Sequence, residues 1–154
     1  CWLSSDDMFD PRKVEMQQAA LTASGLKCGF HSYGTIGVEG GFSRYTTAPA
    51  WQPQEEQNKI LGETCAINGS TVMLHKSVLD KVGLFDLSYR YGQDWEMWCR
   101  IGREFFWYPT REILGTRRTG ENLTVGIDSE PTDGPRRTIR DAEDGRIKAL
   151  YGTP

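Results

Sequence analysis

Two adjacent carboxylates, Asp6 and Asp7, follow the apolar start of the chain and precede a proline. Because adjacent carboxylates repel each other, a positive group such as a helix N-terminus or a bound cation usually offsets them. Mg²⁺ and Mn²⁺ favour one or two carboxylates, with substrate phosphates and water completing the coordination shell. The pair therefore predicts a divalent cation site. The alternative is that both aspartates only form a strand-to-helix turn, which aspartate also favours.

A third carboxylate, Asp94, lies in the segment VGLFDLSYRYGQDWEMWCRI, residues 82 to 101. It is placed at the start of a predicted helix, where the macrodipole stabilises its charge, and Tyr91, Trp95 and Trp98 flank it. A carboxylate among aromatic rings is suited to act as a general base, since the rings stack on sugar faces and limit water. The alternative is a helix N-terminal aspartate beside core tryptophans.

The composition is that of one soluble globular domain, with 154 residues, 38% hydrophobic and 25% charged. A net charge of −3 gives no general attraction to nucleic acids or to anionic membranes. The four cysteines are spread singly, which favours free thiols in a reducing compartment, and we expect a cytoplasmic location. No apolar run approaches the roughly 20 residues that span a bilayer.

These candidate residues need an α/β framework to bring them together, and the periodicity of the chain predicts one. The first half of the chain is predicted to contain a strand ending within 1–4, a helix from Asp10 to Ser24, a strand over 26–36 and a long loop over 37–57 with helical character from 54. The second half is predicted to contain a strand over 70–75, helices over 76–82 and from 92 to about 103, strands over 105–109 and 111–118, and a last helix after 135. The apolar residues expected to pack on the body are Val14, Ala20 and Leu21 in the first helix and Ile139, Ala142, Ile147 and Leu150 in the last.

The two acidic segments together resemble the family 2 glycosyltransferases, which are inverting enzymes of the GT-A type. The resemblance rests on WLSSDDMFDPRKVEMQ, followed later by GSTVMLHKSVLDKVGLFDLSYRYGQDWEMWCRI. In that family a strand leads into an acidic pair and a proline-started helix. A small-residue strand, a V-G-x-F-D phrase and an acidic pair with a helical arginine come later. The matching positions here are Gly69-Ser70, residues 82–86, Gln93-Asp94-Trp95 and Arg100.

The resemblance implies an enzyme that transfers a sugar from a nucleoside diphosphate donor to a hydroxyl of a saccharide or lipid-linked acceptor. Its implied fold is part of a GT-A-type mixed sheet flanked by helices, and its implied cofactor is Mg²⁺ or Mn²⁺. The implied roles are Asp7 as metal ligand, Asp94 as catalytic base, Asp6 at the ribose or the metal's water shell, Gly69 and Ser70 under the donor sugar, and Trp95 in the sugar pocket. Arg117 and Arg118 either approach the diphosphate or form a solvated basic face.

Three departures from the family pattern change these expectations. Ser4 stands where many members have an earlier aspartate, so metal ligation falls mainly to Asp7. Gln93 replaces the glutamate before the catalytic aspartate and leaves the base intact. Thr119 stands where a histidine is frequent, so no histidine ligand is expected from that segment.

The resemblance covers residues 1–125, which we interpret as the C-terminal part of a GT-A domain, with 126–154 as a linker and an amphipathic helix. The family's nucleotide-binding strands precede the acidic pair, so we expect a missing N-terminal half or an oligomer partner, and an isolated chain without turnover. Two other hypotheses stay open: a non-catalytic binding or structural fragment, and a metal-dependent phosphoryl or nucleotidyl transferase. The second lacks the glycine-rich phosphate loop.

Overall fold

A mixed five-stranded sheet forms the centre of the chain, and helices pack against it. The computed structural model describes residues 1–37, 39–50, 53–119, 127 and 130–152. The elements in chain order are β1 (Met8–Phe9), α1 (Lys13–Ser24), β2 (Cys28–Ile36), β3 (Phe42–Thr46), α2 (Gln54–Glu63), a 3₁₀ turn (Gly69–Thr71), β4 (Met73–Leu74), α3 (Lys76–Val82), α4 (Gln93–Glu104), β5 (Trp107–Arg118) and α5 (Pro135–Tyr151). The predicted α/β class, with a mixed sheet flanked by helices, is confirmed.

The sheet is built around the parallel pair β2 and β5. Three short strands join it in antiparallel directions: β1 on β5, and β3 and β4 on β2. Because β2 and β5 run the same way, their carboxyl ends meet at one edge, and Ile36 pairs there with Arg118. The residues that precede β1 reach the same edge, since Met8 pairs with Thr116. This topology brings Asp6 and Asp7 next to the end of β5.

Four predicted strands differ from the observed ones. Residues 1–4 form no strand, and the first strand is β1. The predicted strand over 70–75 is a 3₁₀ turn followed by the two-residue β4. The predicted break near 110 is a bulge inside the single strand β5, because the pairing passes from His31–Thr110 directly to Ser32–Ile113. The bulge absorbs the extra residues without ending the strand.

The segment 37–57 is also more ordered than its composition predicts. It contains β3, which pairs with the end of β2, and α2 begins within it at Gln54. The rings of Phe42 and Tyr45 in β3 are in contact, tilted by 45° with centroids 4.4 Å apart. Residues 38, 51 and 52 of this segment lie outside the described residues.

The first helix packs largely through polar side chains, and its predicted apolar face is only partly right: Ala20 and Leu21 are half-buried, and Leu21 meets Gly29 of the sheet. Val14 is 50% exposed, whereas Lys13 and Gln17 are buried. Gln17 Nε2 donates to the carbonyl of Thr71 at 3.0 Å, and Lys13 Nζ donates to Gln17 Oε1 at 2.7 Å. At this end α1 therefore covers the backbone carbonyls of Thr71 and Val72, which need hydrogen-bond donors when buried. Burial lowers the pKa of Lys13 to about 8.

The start of this helix is likewise later than the Asp10-Pro11 pair predicts. The Asp10 carboxylate accepts hydrogen bonds from the backbone and side chain of Arg12, which lower its pKa to about 2. Asp10 and Pro11 therefore form a turn, and the helix begins at Lys13. Its predicted end is confirmed, because Gly25 adopts a left-handed conformation with φ of 69°.

The hydrophobic core lies between the sheet and helices α2 and α4. Trp98 and Trp107 meet edge to face at 5.4 Å, and Trp107 Nε1 donates to the carbonyl of Trp98. All four cysteines are free, and burial raises the pKa of Cys28 and of Cys99 to about 12. Because several side chains of α4 belong to this core, packing fixes the position of the helix that carries Asp94.

Helix α5 packs against α2 and α4, although the predicted face is only partly right. Of the four apolar positions only Ile147 is buried, and Leu150 is 54% exposed. The second buried position is Glu143, a charged residue. The boundary expected at 125 and 126 lies outside the described residues.

Candidate active site

A cleft of about 470 Å³ opens at the carboxyl edge of β5 and at the start of α4. Its walls come from the chain start, the turn before Ser70, the segment before α4 and the end of β5. The three aspartates singled out from the sequence, Asp6, Asp7 and Asp94, all line it. Residues more than 80 positions apart in the chain therefore share one solvent-accessible space.

The acidic pair is held against the last strand by backbone contacts. Asp7 Oδ1 accepts a hydrogen bond from the backbone N–H of Arg118 at 3.0 Å. Arg118 Nε donates to the carbonyl of Asp6 at 3.3 Å. The turn itself is closed by the N–H of Asp7, which donates to the carbonyl of Ser4 at 3.1 Å. Arg118, one of the two arginines predicted at the diphosphate, thus binds the backbone of the acidic turn.

Asp94 lies in the first turn of α4 and is half-buried. Its Oδ1 accepts a hydrogen bond from the N–H of Trp95 at 2.8 Å. Burial raises the pKa of this carboxyl above its usual value, and the hydrogen bond opposes that rise. A carboxyl with a raised pKa in a cleft is a better proton acceptor than an exposed aspartate.

Gly69 and Ser70 occupy the 3₁₀ turn at the floor of the cleft. Gly69 lines the cleft, whereas Ser70 is buried beneath it and its Oγ accepts from the N–H of Ser4 at 3.0 Å. Asn68 caps this turn by accepting from the N–H of Ser70. The floor and the acidic turn are therefore joined by a direct hydrogen bond.

Two arginines line the cleft, Arg117 and Arg90. Arg117 belongs to the predicted basic pair at the end of β5. Arg90 precedes α4, and sequence reasoning missed it because nothing local marks it as a site residue. Two arginines that line the same cleft as the carboxylates are suited to bind a phosphate-bearing ligand.

Of the three aromatic residues predicted around Asp94, Tyr91 and Trp98 line the cleft and Trp95 does not. Trp95 lies in the hydrophobic core, where its Nε1 donates to the carbonyl of Leu61 at 2.6 Å. Trp2 and Phe85, which were not predicted, also line the cleft. Their rings meet edge to face at 5.2 Å. Trp2 stands four residues before the acidic pair, which is the only sequence signal that connects it to the site.

The carboxylates fit a divalent cation only with help from a ligand. Among the described residues, no group of three or more His, Cys, Asp or Glu side chains is close enough to hold a metal ion. Asp6 and Asp7 supply two carboxylates, and one oxygen of Asp7 already accepts from Arg118. Such a set suits Mg²⁺ or Mn²⁺ if phosphate oxygens complete the shell.

The chain is similar to two proteins described as glycosyltransferases. An uncharacterized glycosyltransferase of Rickettsia typhi is 28% identical over 132 residues, which cover 80% of this chain and 40% of that protein. An uncharacterized glycosyltransferase of Rickettsia prowazekii is 28% identical over 121 residues, which cover 73% of this chain and 37% of that protein. The chain therefore spans about two fifths of the length of these relatives.

No protein-family profile matches the chain. Within the described part of the chain, no helix has the length and apolar character needed to cross a bilayer.

Proposed function

We propose that the cleft is the active site of a metal-dependent, inverting glycosyltransferase of the GT-A type, related to family 2. The observation that carries this proposal is the meeting of the acidic pair Asp6 and Asp7 with Asp94 and two arginines in one cleft. The two relatives support glycosyl transfer as the general chemistry. The donor is a nucleoside diphosphate sugar and the acceptor is a saccharide or lipid-linked hydroxyl.

The acidic pair binds the diphosphate side of the donor through a cation. Asp7 is the main ligand of Mg²⁺ or Mn²⁺, and Asp6 contacts the ribose or the metal's water shell. When bound, the metal supplies Lewis-acid stabilisation of the leaving diphosphate. Arg117 and Arg90 add positive charge at the same cleft, where they stabilise the phosphate oxygens.

Asp94 acts as the general base. It accepts the proton of the acceptor hydroxyl while that oxygen bonds to the anomeric carbon and the bond from this carbon to the diphosphate oxygen breaks. A single displacement of this kind inverts the anomeric carbon. The N–H of Trp95 holds one carboxylate oxygen and leaves the other to take the proton. General-base catalysis contributes roughly 10²–10⁴-fold.

The sugar is bound between the floor and the aromatic wall. Gly69 has no side chain, so a sugar ring can approach the backbone of the turn, with Ser70 supporting it from below. Trp2 and Phe85 offer apolar ring faces on which a sugar stacks. Trp95 contributes through the packing of α4 and not through contact.

Titration calorimetry tests this assignment on the full-length protein. Mn²⁺ is titrated together with ADP, GDP, UDP or dTDP into wild type, Asp7→Asn and the control Asp80→Asn, which changes an aspartate of α3 outside the cleft. We expect Asp7→Asn to weaken binding of the preferred diphosphate by at least about tenfold, because ligand charge sets the affinity of such sites. The control should match wild type. Equal affinities of wild type and Asp7→Asn, or no binding by wild type, would contradict the proposal.

A further inference from the structure

The segment before α4 is held by a carboxylate from a distant helix. Helix α4 begins after Gly92 without a capping side chain from its own segment. The backbone N–H groups of Arg90, Tyr91 and Gly92 instead donate to the carboxylate of Glu143, at 2.6, 2.8 and 2.9 Å. Glu143 lies in α5 and is only 7% exposed.

Such a contact is strong and directional. A buried carboxylate is costly unless donors surround it, and three N–H groups at a helix N-terminus supply both hydrogen bonds and a favourable dipole. One carboxylate oxygen accepts from the N–H of Arg90, and the other accepts from the N–H groups of Tyr91 and Gly92. The carboxylate therefore restrains three successive peptide units together. The segment 90–92 therefore has one conformation as long as Glu143 is in place.

Helix α5 also packs closely against the segment before α4 at positions other than Glu143. A Cβ at Gly92 would lie 2.9 Å from Ile147 Cδ1 and 3.7 Å from Glu143 Oε2, so any larger residue there would have to displace the end of the Ile147 side chain. Arg146 of α5 also binds this segment. Its Nε donates to Tyr89 Oη at 2.7 Å, and its Cζ lies 3.8 Å from the centroid of the Tyr89 ring. Helix α5 thus holds residues 89–92 at several points.

The residues fixed in this way form one wall of the cleft. Arg90 and Tyr91 line the cleft directly, and Gln93 and Asp94 follow at once in the first turn of α4. We propose that Glu143 is a positioning residue for this wall. Through the three backbone N–H groups it sets where Arg90 meets the donor and where Asp94 meets the acceptor hydroxyl. This inference rests on the proposed function for its catalytic consequence.

The test uses Glu143→Gln, which keeps the shape and one acceptor oxygen but loses the charge, and Glu143→Ala. The matched control is Asp141→Asn, which removes an exposed carboxylate from the same helix. Hydrogen exchange is measured at the amides of Arg90, Tyr91 and Gly92 and at the later amides of α4. Steady-state sugar transfer and Mn²⁺–diphosphate binding are measured in the full-length protein.

We expect Glu143→Gln to speed exchange at the three amides by at least about tenfold while the later amides of α4 keep their rates. The value of kcat should fall by at least about tenfold, because small misplacements of a catalytic group are costly. Mn²⁺–diphosphate affinity should fall less than kcat does, because only Arg90 shifts with the segment while Asp7 is held by β5. Glu143→Ala should lose more activity than Glu143→Gln, and Asp141→Asn should match wild type.

Unchanged exchange at the three amides would overturn the contact, and faster exchange with unchanged kcat would overturn the positioning role. Equal loss of protection over all of α4 would also overturn it, since Glu143 would then act only on global stability. Failure of the proposed function gives a different result: wild type itself would neither bind Mn²⁺ with a diphosphate nor transfer a sugar, while local exchange would still respond to Glu143→Gln.

Discussion

Asp10 and Asp94 differ in pKa because their neighbours differ. Asp10 is exposed and receives the guanidinium of Arg12, which lowers its pKa to about 2. Asp94 has no cationic partner among its described hydrogen bonds and is half-buried, so its pKa is raised. A raised pKa brings Asp94 closer to the range in which a carboxylate takes up and releases protons during turnover. Local environment, and not residue type, makes Asp94 the candidate base.

The raised pKa of Asp94 predicts a dependence of stability on pH. Burial disfavours the charged form in the folded state, so the charge costs stability once the pH exceeds the ordinary value of 3.8. Asp94→Asn removes that cost and should be at least as stable as wild type at neutral pH. The difference in the free energy of unfolding should vanish as the pH falls below 3.8. Urea unfolding at several pH values measures it, with Asp80→Asn as control. A variant that loses stability specifically at neutral pH would contradict the assignment.

At the residue scale, local sequence patterns marked the carboxylates that line the cleft but not the residues that hold the cleft wall in place. Asp7 and Asp94 stand out because a carboxylate pair and a helix-start carboxylate are visible in the chain itself. Arg90 and Glu143 do not, since their positions depend on the approach of α5 to the segment before α4. Trp95 was misassigned for the same reason: only the packing of α4 shows that it faces Leu61.

At the scale of elements, helices with clear stop signals were predicted well. The helix over 76–82 is confirmed and ends at Gly83, with φ of 84°, and α4 is confirmed at Gln93–Glu104. Edge strands were predicted poorly, since β1 and β4 have two residues each and exist only through pairing with longer strands. The faces of α1 and α5 were predicted only in part, because both helices also bury polar residues that meet backbone groups.

The observed face of α5 predicts a contrast between two of its apolar residues. Ile147 is fully buried in the core, so Ile147→Ala should lower the free energy of unfolding by about 2–5 kcal/mol. Leu150 is 54% exposed, and Leu150→Ala should change it by no more than about 0.5 kcal/mol. Chemical denaturation of both variants provides the measurement. Comparable losses at the two positions would show that the helix is rotated from the described orientation.

At the scale of the whole molecule, α5 is part of the same packed unit as the sheet and the cleft. Its Ile147 joins the core cluster, and its end meets α2, where Gly62 lies directly under the backbone of Tyr151. Tyr151 also donates from its Oη to Glu96 Oε1 at 2.8 Å, on α4. This joins three helices around the wall that carries Asp94. Periodicity predicted that a last helix exists, but its placement depends on contacts between residues far apart in the chain.

The close approach of α2 and α5 predicts opposite effects of two glycine substitutions. A Cβ at Gly62 would overlap the carbonyl of Tyr151, so Gly62→Ala should separate the helices and cost about 1–3 kcal/mol of stability. Gly145 lies within α5, and no other described part of the fold comes within 4 Å of the position that a Cβ would occupy there. Gly145→Ala should therefore add about 0.5–1 kcal/mol through helix propensity. Thermal unfolding of the two variants and wild type measures these differences in stability. A Gly62→Ala variant as stable as wild type would contradict the described packing of α2 and α5.

We propose that Asp94 removes the proton of an acceptor hydroxyl in the cleft that the acidic pair helps to form. The most direct measurement is kcat for sugar transfer by Asp94→Asn and wild type in the full-length protein, with Mn²⁺–diphosphate binding measured in parallel. Asp94→Asn keeps the shape of the side chain and removes the base. We predict a loss in kcat of at least about 10²-fold with unchanged binding. Retention of more than about a tenth of wild-type kcat would show that the base lies elsewhere.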